Sequence, residues 1–442
     1  MKVLKFGGTS VGTPQRMKDV VGLINDGKQK IVVLSAMSGT TNTLVEISDY
    51  FRKNNAEAAN NIINQLRIKY KQHVKELYTT EEQATKAQAV LDEIFTTLRS
   101  FSHKPFSDAD EKVVLAQGEI MSTNMVTLYM QEQGIKTLLI PALDFMKLDT
   151  KDEPDTHYIQ EHLADILKQA PGYDVYITQG FICRDSEGRI ANLQRGGSDY
   201  TACLIGAGLK SEEIQIWTDI DGMHNNDPRY VENTEPVRQL NFDEAAELAY
   251  FGAKILHPTC IQPARFAGVP VRLLNTMEPT APGTIINNEM QKGSIKAVAA
   301  KDNITVIKIV SNRMLLATGY LAKVFEIFSK YKTSIDMVTT SEVAISLSID
   351  NTSRLVSILE ELKEIGTVSV DYHMTIVCVV GDFAYDYVGY TSRVMQALSC
   401  VPVRMIAYGA SNHNISYLVH ESDKQKALQA LSSALFAHDK QK

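Results

Sequence analysis

The chain has 442 residues, about three times the length of a typical domain, so two or three domains are expected. Hydrophobic residues make up 44% of it and charged residues 22%, a composition that supports a buried core and excludes a disordered chain. The formal net charge of −7 argues against broad binding to nucleic acid or to an anionic membrane, so an anionic ligand would need a local cluster of positive charge.

Cysteine content and apolar runs indicate the cellular compartment, and histidine spacing bears on metal binding. The 5 cysteines include no C-x-x-C pair, so neither a disulfide framework nor a zinc ribbon is predicted, and no histidines have the spacing of a dedicated metal site. The amino terminus lacks the apolar run of a secretion signal, and no run reaches the roughly 18 residues of a membrane span. We therefore expect a cytoplasmic protein with no membrane partner.

Residues 1–295 alternate between short strands and longer helices. Stretches rich in β-branched residues predict strands at 3–6, 31–35, 137–140, 174–179 and 213–219. This alternation is typical of an α/β sheet that is covered on both faces, so a three-layer α/β/α domain is predicted. Between 47 and 120 helical spacing dominates, which indicates a helical insertion; a solvated helical flank with structural duties is the simpler interpretation.

Proline, glycine and asparagine between 275 and 294 indicate a linker, and beyond it the sequence repeats itself. The strand-like ITVIKIV at 304–310 returns 70 residues later as MTIVCVV at 374–380. Each copy reads β-α-β-β-α, with helices expected at 352–364 and 422–434, and in each first helix apolar residues at i, i+1 and i+4 suggest one buried face. We predict two ferredoxin-like α+β modules at about 304–373 and 374–442, whose strands can interleave, within a region 296–442.

The motif KFGGTS, residues 5–10, follows the first strand and precedes a helix-compatible stretch. Adjacent glycines let backbone N–H groups approach phosphate oxygens, and Lys5 would add a full positive charge. A tight turn that uses glycine for its shape is the alternative. GLINDGK at 22–28 has the glycine spacing of a P-loop but is followed by Gln29 instead of Ser or Thr, so we reject it.

Three further positions suggest binding. Arg195 in RGGSDYT would clamp a carboxylate or phosphate, although Ser198 or Asp199 could merely cap the next helix. Thr218 and Asp219 end a predicted strand, where α/β sheets bind ligands, although an Asx turn is the alternative.

Two charged side chains stand in largely apolar segments. Lys254 in FGAKILHP could be a ligand group or a snorkelling surface lysine. Glu119 in GEIMST is expected near the start of a helix, as a dipole partner or as a binder of a substrate ammonium.

Taken in order, KFGGTSV, VLSAMSGTTN, GEIMST, TQGFI, RGGSDYTA, WTDIDG with DPR, and FGAKILHP resemble the motifs of the aspartokinase family, whose catalytic domain has the amino acid kinase fold. The two modules after residue 295 resemble ACT domains, which bind small amino acids. The resemblance covers essentially the whole chain and points to the monofunctional form, without a fused homoserine dehydrogenase.

The resemblance implies ATP-dependent phosphorylation of the β-carboxylate of L-aspartate to 4-phospho-L-aspartate, the first step towards lysine, threonine and methionine. A carboxylate nucleophile is already deprotonated, so catalysis requires positioning and charge neutralisation and no general base. Mg²⁺ is expected to bind with the nucleotide, by bridging its phosphates.

By the same resemblance, residues at the motif positions take three roles. The catalytic residues would be Lys5 and Asp199, and aspartate would be held by Thr41, Glu119, Arg195 and Ser198. ATP would be held by Lys5, Phe6, Gly7, Gly8, Thr218, Asp219, His224, Arg229 and Lys254. Gln194 and His224 depart from the residues that relatives often have, Gly and Tyr.

The first ACT module resembles the lysine-binding module of lysine-sensitive aspartokinases, which implies feedback inhibition by lysine. The matching positions are Met314, Tyr320, Leu321, Ser334, Ile335, Asp336, Thr340, Ser341 and Glu342. Ordinary turn and strand-edge residues are the alternative interpretation of these positions. The resemblance also implies a homodimer or homotetramer assembled through the ACT modules.

Two other functions remain open at this stage. The chain could be an amino-acid sensor whose kinase half is inactive, although Lys5, Arg195 and Asp199 argue against it. It could also phosphorylate glutamate or acetylglutamate, which the tandem ACT modules disfavour.

Overall fold

The computed structural model describes residues 1–193, 196–252, 256–314, 318–384 and 388–436. Gln194, Arg195 and Lys254 lie outside these residues. The chain divides into two compact units, residues 1–223 with 255–288 and residues 224–254 with 289–442. Within the described ranges, no helix combines the length and the apolar character needed to span a bilayer.

The strands, in chain order, are β1 (Lys2–Phe6), β2 (Lys30–Leu34), β3 (Thr137–Leu139), β4 (Val175–Gln179), β5 (Ile182–Arg184), β6 (Ile190–Asn192), β7 (Ile214–Thr218), β8 (Gln239–Asn241), β9 (Val271–Asn275), β10 (Thr284–Asn287), β11 (Ile295–Val310), β12 (Met337–Thr340), β13 (Ala344–Ile349), β14 (Thr367–Gly381), β15 (Met405–Tyr408) and β16 (Asn414–His420).

The helices are α1 (Pro14–Ile24), α2 (Thr40–Arg52), α3 (Ala56–Leu77), α4 (Glu81–Ser100), α5 (Asp108–Glu132), α6 (Thr156–Gln169), α7 (Gly197–Gly208), α8 (Phe242–Phe251), α9 (Gln262–Ala267), α10 (Tyr320–Lys330), α11 (Leu355–Ile365), α12 (Tyr390–Ala397) and α13 (Lys424–Phe436).

The first unit is built on a largely parallel sheet, with hydrogen-bonded order β3–β4–β2–β1–β7–β9–β10 in which only the β9–β10 pair is antiparallel. In β2, Val32 and Leu34 join a core that also contains side chains from α1 to α5. Ile31 and Val33 are equally buried and point to the opposite face, because successive side chains alternate along a strand. The predicted α/β sheet covered on both faces is therefore confirmed.

Helices α2 to α5 confirm the helical stretch predicted between residues 47 and 120. Buried residues of these helices, such as Tyr70 and Phe95, belong to the same core as the sheet, so the helices are more than a solvated flank. The expectation that Glu119 lies near a helix start is wrong. A capping box between Ser107 and Asp110 begins α5 at Asp108, which places Glu119 in the middle of the helix.

The second unit contains an antiparallel sheet in the order β12–β13–β11–β14–β16–β15. The two central strands, β11 and β14, are long, and each pairs with strands of both sequence repeats. β11 pairs with β14 along most of its length; its residues 305–310 also pair with β13, and residues 374–380 of β14 also pair with β16. The two repeats therefore share one continuous sheet. The domain boundaries near 295 and 373 remain predictions.

Each repeat has its own core beneath this sheet. Val324 and Phe328 are buried in the first, and Val394 and Leu398 at the corresponding places in the second, as the apolar spacing predicts. The residues at i+1, Phe325 and Met395, were expected on the same face. They are exposed, because a step of one residue along a helix turns the side chain by about 100°.

Candidate functional site

The loops that follow four neighbouring strands meet at one edge of the first sheet. Because β1, β2, β4 and β7 are parallel, their carboxyl ends lie at the same edge, where α/β proteins bind ligands. Hydrogen bonds join the loops directly: the Ser35 N–H donates to the Phe6 carbonyl at 3.2 Å, and the Gly180 N–H to the Leu34 carbonyl at 3.0 Å.

A cavity of about 310 Å³ opens between these loops. Its wall contains Gly8, Ser35, Ala36, Met37, Ser38, Gly39, Thr41, Asn42, Glu119, Phe181, Gly197 and Ser198. The structure thus brings together four residues predicted from sequence, Gly8, Thr41, Glu119 and Ser198. Phe6, Gly7, Thr218 and Asp219 do not line it.

Two helices begin at this cavity. Thr41 lies in the first turn of α2 and Ser198 in the first turn of α7, and each helix follows a glycine with positive φ, Gly39 at 82° and Gly196 at 75°. Helix N-termini present unpaired N–H groups and partial positive charge, so the cavity is suited to anions such as carboxylate and phosphate. The possibility that Ser198 or Asp199 caps α7 is wrong, because Gly196 occupies that position.

The two predicted catalytic residues form an ion pair. Lys5 Nζ lies 2.8 Å from Asp199 Oδ1, and both side chains are only 12% exposed. Lys5 belongs to β1 and Asp199 to the first turn of α7, so the pair fixes the lysine head group beside a helix N-terminus. A lysine held in this way can neutralise negative charge on a bound anion.

The glycines of KFGG have distinct surroundings. A Cβ on Gly8 would lie 2.8 Å from the Ala36 carbonyl oxygen, so only glycine fits between the loops after β1 and β2. The Gly7 N–H donates to the Trp217 carbonyl at 3.2 Å and therefore already has a partner in the sheet. Phe6 is fully buried and stacks on Trp217, with ring centroids 5.7 Å apart, so only its backbone is available to a ligand.

Glu119 is a buried carboxylate at the cavity wall. It is 4% exposed, and its burial raises the pKa to about 7, although the Ala36 N–H and the Lys5 charge act in the opposite direction. Its Oε2 atom has no hydrogen-bond partner among the residues that the structure describes. A ligand ammonium would satisfy this atom and remove the cost of its burial.

The remaining predicted nucleotide residues that the structure describes do not line this cavity. β7 ends at Thr218 and Asp219 follows it; their side chains are joined by a hydrogen bond of 3.1 Å, and Gly222, three residues after Asp219, has a φ of 77°. His224 and Arg229 belong to the second unit, where the His224 ring contacts Thr234 and Arg229 pairs with Asp227 at 2.6 Å. Arg195 and Lys254 are outside the described residues, so their roles stay predictions.

The predicted lysine-binding residues lie in the second unit and centre on Asp336. Its side chain is fully buried, and Oδ1 accepts hydrogen bonds from Lys301 Nζ, at 2.8 Å, and from the Tyr250 hydroxyl. Oδ2 has no partner among the described residues. Sequence reasoning missed Lys301 and Tyr250, because they lie 35 and 86 residues from Asp336 and no local pattern connects them.

The other predicted effector residues differ in exposure. Tyr320 is buried, with its hydroxyl donating to the Ile365 carbonyl at 3.1 Å, whereas Leu321, Thr340, Ser341 and Glu342 are exposed. Met314, Ser334 and Ile335 are partly or largely accessible. Within the parts of the chain that the structure covers, no group of three or more His, Cys, Asp and Glu side chains could hold a metal ion.

Comparison with known proteins identifies the family. The amino acid kinase family matches residues 1–275, and an ACT domain matches residues 377–435. The lysine-sensitive aspartokinase 3 of Escherichia coli (strain K12) is 33% identical over 455 residues, which cover 98% of this chain and 99% of that protein. This chain belongs to the aspartokinase family.

A plant relative and a solved structure are also similar to this aspartokinase. The chloroplastic aspartokinase 1 of Arabidopsis thaliana is 34% identical over 458 residues, 98% of this chain and 80% of the relative. The crystal structure of E. coli aspartokinase III in complex with aspartate and ADP matches with a TM-score of 0.82 and 31% identity, covering 99% of this chain and all of that one. The predicted family, the α/β amino acid kinase fold and the ACT region are confirmed, and the chain is an aspartate kinase.

Proposed function

We propose that this aspartokinase transfers the γ-phosphoryl group of ATP to the β-carboxylate of L-aspartate, giving 4-phospho-L-aspartate, and that lysine inhibits it through the first ACT module. The main support is the cavity of about 310 Å³ at which two helix N-termini and the buried Glu119 carboxylate meet, with the Lys5–Asp199 pair near enough for the Lys5 charge to act on Glu119. The E. coli structure with aspartate and ADP is consistent with it.

The charges in the cavity match the groups of aspartate. The Glu119 carboxylate would accept the α-ammonium, while Thr41 and Ser198, each in the first turn of a helix, would donate to carboxylate oxygens. Arg195, predicted from its glycine-rich motif and from the resemblance, would pair with a carboxylate. The β-carboxylate then attacks the γ-phosphorus as an anion, so the step requires no general base.

Lys5 would act mainly in the transition state. Phosphoryl transfer spreads negative charge over the equatorial oxygens, and a fixed ammonium next to them lowers the barrier without reorganising. Asp199 holds that ammonium at 2.8 Å and so orients it. Mg²⁺ would bind between the nucleotide phosphates, in keeping with its preference for phosphate and water oxygens. Phe6, Gly7, Gly8, Thr218, Asp219, His224, Arg229 and Lys254 remain the proposed nucleotide contacts.

Trapping the acyl phosphate with hydroxylamine tests the reaction. With ATP, Mg²⁺ and L-aspartate we expect a coloured hydroxamate, and with L-glutamate or acetylglutamate in place of aspartate a rate at least about a hundredfold lower, because one extra methylene displaces the reacting carboxylate. Equal rates would favour the glutamate or acetylglutamate kinase. No hydroxamate with any substrate would favour the amino-acid sensor.

The pH dependence of aspartate binding tests the role of Glu119. Only ionised Glu119 attracts the substrate ammonium, so with a pKa of about 7 the affinity for aspartate should rise as the pH rises through 7. From the two ionised fractions we expect KM for aspartate to fall about tenfold between pH 6 and pH 8.

The variant Glu119→Gln should have a higher KM for aspartate and should lose this pH dependence. Glu111, in the first turn of the same helix, pairs with Arg52 and does not line the cavity, so it provides the control Glu111→Gln, which should keep the pH dependence of the unaltered enzyme. A pH profile that is unchanged in Glu119→Gln would exclude Glu119 as the group that titrates.

The proposed pathway role is the entry step towards lysine, threonine and methionine, and the proposed assembly is a homodimer or homotetramer formed through the ACT modules. Two observations support inhibition by lysine. The E. coli relative is lysine-sensitive, and Oδ2 of the buried Asp336 carboxylate has no hydrogen-bond partner among the described residues.

A further inference from the structure

The segment that carries Arg229 is built into the core of the second unit. This segment, residues 225–231, lies in the part of the sequence that matches the amino acid kinase family. Val231 is nevertheless buried in a core with Val298 of β11 and Leu428 of α13, and the Val298 N–H donates to the Asn225 carbonyl at 2.8 Å. The segment therefore packs on elements of the carboxyl-terminal region.

Side-chain hydrogen bonds attach the segment to α13. Asn226 is buried; its Nδ2 donates to the Leu428 carbonyl at 3.1 Å, and its Oδ1 accepts the Asp227 N–H at 2.9 Å. From the helix, Gln429 Nε2 donates to the Tyr230 carbonyl at 3.1 Å. These bonds fix the backbone on both sides of Arg229.

A buried lysine adds a third attachment. Lys424, the first residue of α13, places Nζ 4.1 Å from the centroid of the Tyr230 ring and 2.6 Å from Asp302 Oδ2. Within the segment, Asp227 accepts hydrogen bonds from both the backbone N–H and the guanidinium of Arg229. The contacts thus form a chain from α13 through Tyr230 and Asp227 to Arg229.

We propose that Lys424, Gln429 and Asn226 are positioning residues for the kinase reaction, which hold Arg229 where it binds the nucleotide. The inference rests on the proposed nucleotide role of Arg229. Its side chain is 77% exposed, and a long exposed arginine loses rotamer freedom when it binds a phosphate. A backbone that is already fixed adds no further loss of freedom, so nucleotide affinity depends on the carboxyl-terminal helix that fixes it.

Steady-state kinetics of Gln429→Met and Lys424→Met test the proposal. We expect KM for ATP to rise about fivefold in each, the effect of one lost hydrogen bond or cation–π contact, with KM for aspartate unchanged. The matched control is Lys426→Met, on the same helix, because Lys426 donates to the Cys400 carbonyl and not to the segment. It should leave both KM values unchanged.

The separate KM values distinguish positioning from a general structural role. A variant that merely unfolds more easily has less active enzyme and a lower maximal rate, but its remaining molecules keep both KM values. If KM for ATP stays unchanged in Gln429→Met and Lys424→Met, or rises together with KM for aspartate, the inference is wrong.

Arg229→Ala separates a failure of this inference from a failure of the proposed function. If Arg229→Ala raises KM for ATP and the two helix variants do not, the positioning role alone is excluded. If Arg229→Ala leaves KM for ATP unchanged, the nucleotide role of Arg229 is excluded, and the inference with it. The double variant Arg229→Ala with Gln429→Met gives a further test. If its KM for ATP is no higher than that of Arg229→Ala alone, Gln429 acts through Arg229. If the two increases in KM for ATP are additive, the inference is contradicted.

Discussion

Replacing Lys5 by methionine should lower kcat about a thousandfold while KM for aspartate changes less than about threefold. Methionine is unbranched and close to lysine in size, and it removes the ammonium group that lies 2.8 Å from Asp199. The charge is needed most in the transition state, when negative charge develops on the transferred phosphoryl group, so its loss appears in kcat. The hydroxamate assay, with ATP and aspartate varied separately, measures both constants.

Lys2→Met is the matched control for this prediction. Lys2 lies at the opposite end of the same strand, where its ammonium pairs with Glu213 at 3.4 Å, away from the cavity. It should retain the kcat of the unaltered enzyme, because partly exposed ion pairs of this kind contribute little. The prediction is wrong if kcat falls in Lys5→Met and KM for aspartate rises by the same factor. That result would contradict a transition-state role and indicate that Lys5 contributes to substrate binding in general.

Several strands could be predicted from the sequence, because short runs of apolar and β-branched residues mark them locally. The strands predicted at 31–35 and 213–219 end within one residue of β2 and β7. In β2 the β-branched residues are buried on both faces, and in β7 Ile214 and Ile216 are buried on one face and Trp217 on the other. The strand predicted at 304–310 was too short. Asp302 and Asn303 suggest a turn, but in the structure Asn303 adopts a φ of 61° within an irregularity, and β11 continues through it.

The site was harder to predict, because its contacts join residues that are distant in sequence. Lys5 and Asp199 are individually recognisable in glycine-rich turns, yet their pairing depends on the adjacency of β1 and α7. The capping box at Ser107 starts the helix at Asp108, eleven residues before Glu119, so Glu119 lies in the middle of the helix and not at its start. Such effects arise from tertiary packing, which the local pattern does not contain.

Asp336→Asn should weaken lysine inhibition at least about tenfold, measured as the lysine concentration that halves the rate of hydroxamate formation. Asparagine retains the size of the side chain and an oxygen that can accept from Tyr250, but it removes the negative charge. Lys301 binds Oδ1 and also pairs with Asp350 at 2.9 Å, so the described residues leave Oδ2 for the ammonium of the effector. Without the charge, that ammonium would be desolvated with little compensation.

The second repeat provides the matched control. Arg404 is the structural counterpart of Asp336, because the Arg404 N–H donates to Leu418 on β16 as the Asp336 N–H donates to Ser348 on β13. Its guanidinium pairs with Asp371 at 2.8 Å. Asp371→Asn therefore removes a paired carboxylate at the equivalent place without touching the proposed effector site, and it should leave lysine inhibition unchanged. Equal losses of inhibition in Asp336→Asn and Asp371→Asn would contradict a specific role of Asp336 in lysine binding. They would show that inhibition depends on the stability of the shared sheet. In that case titration calorimetry should detect normal lysine binding in both variants.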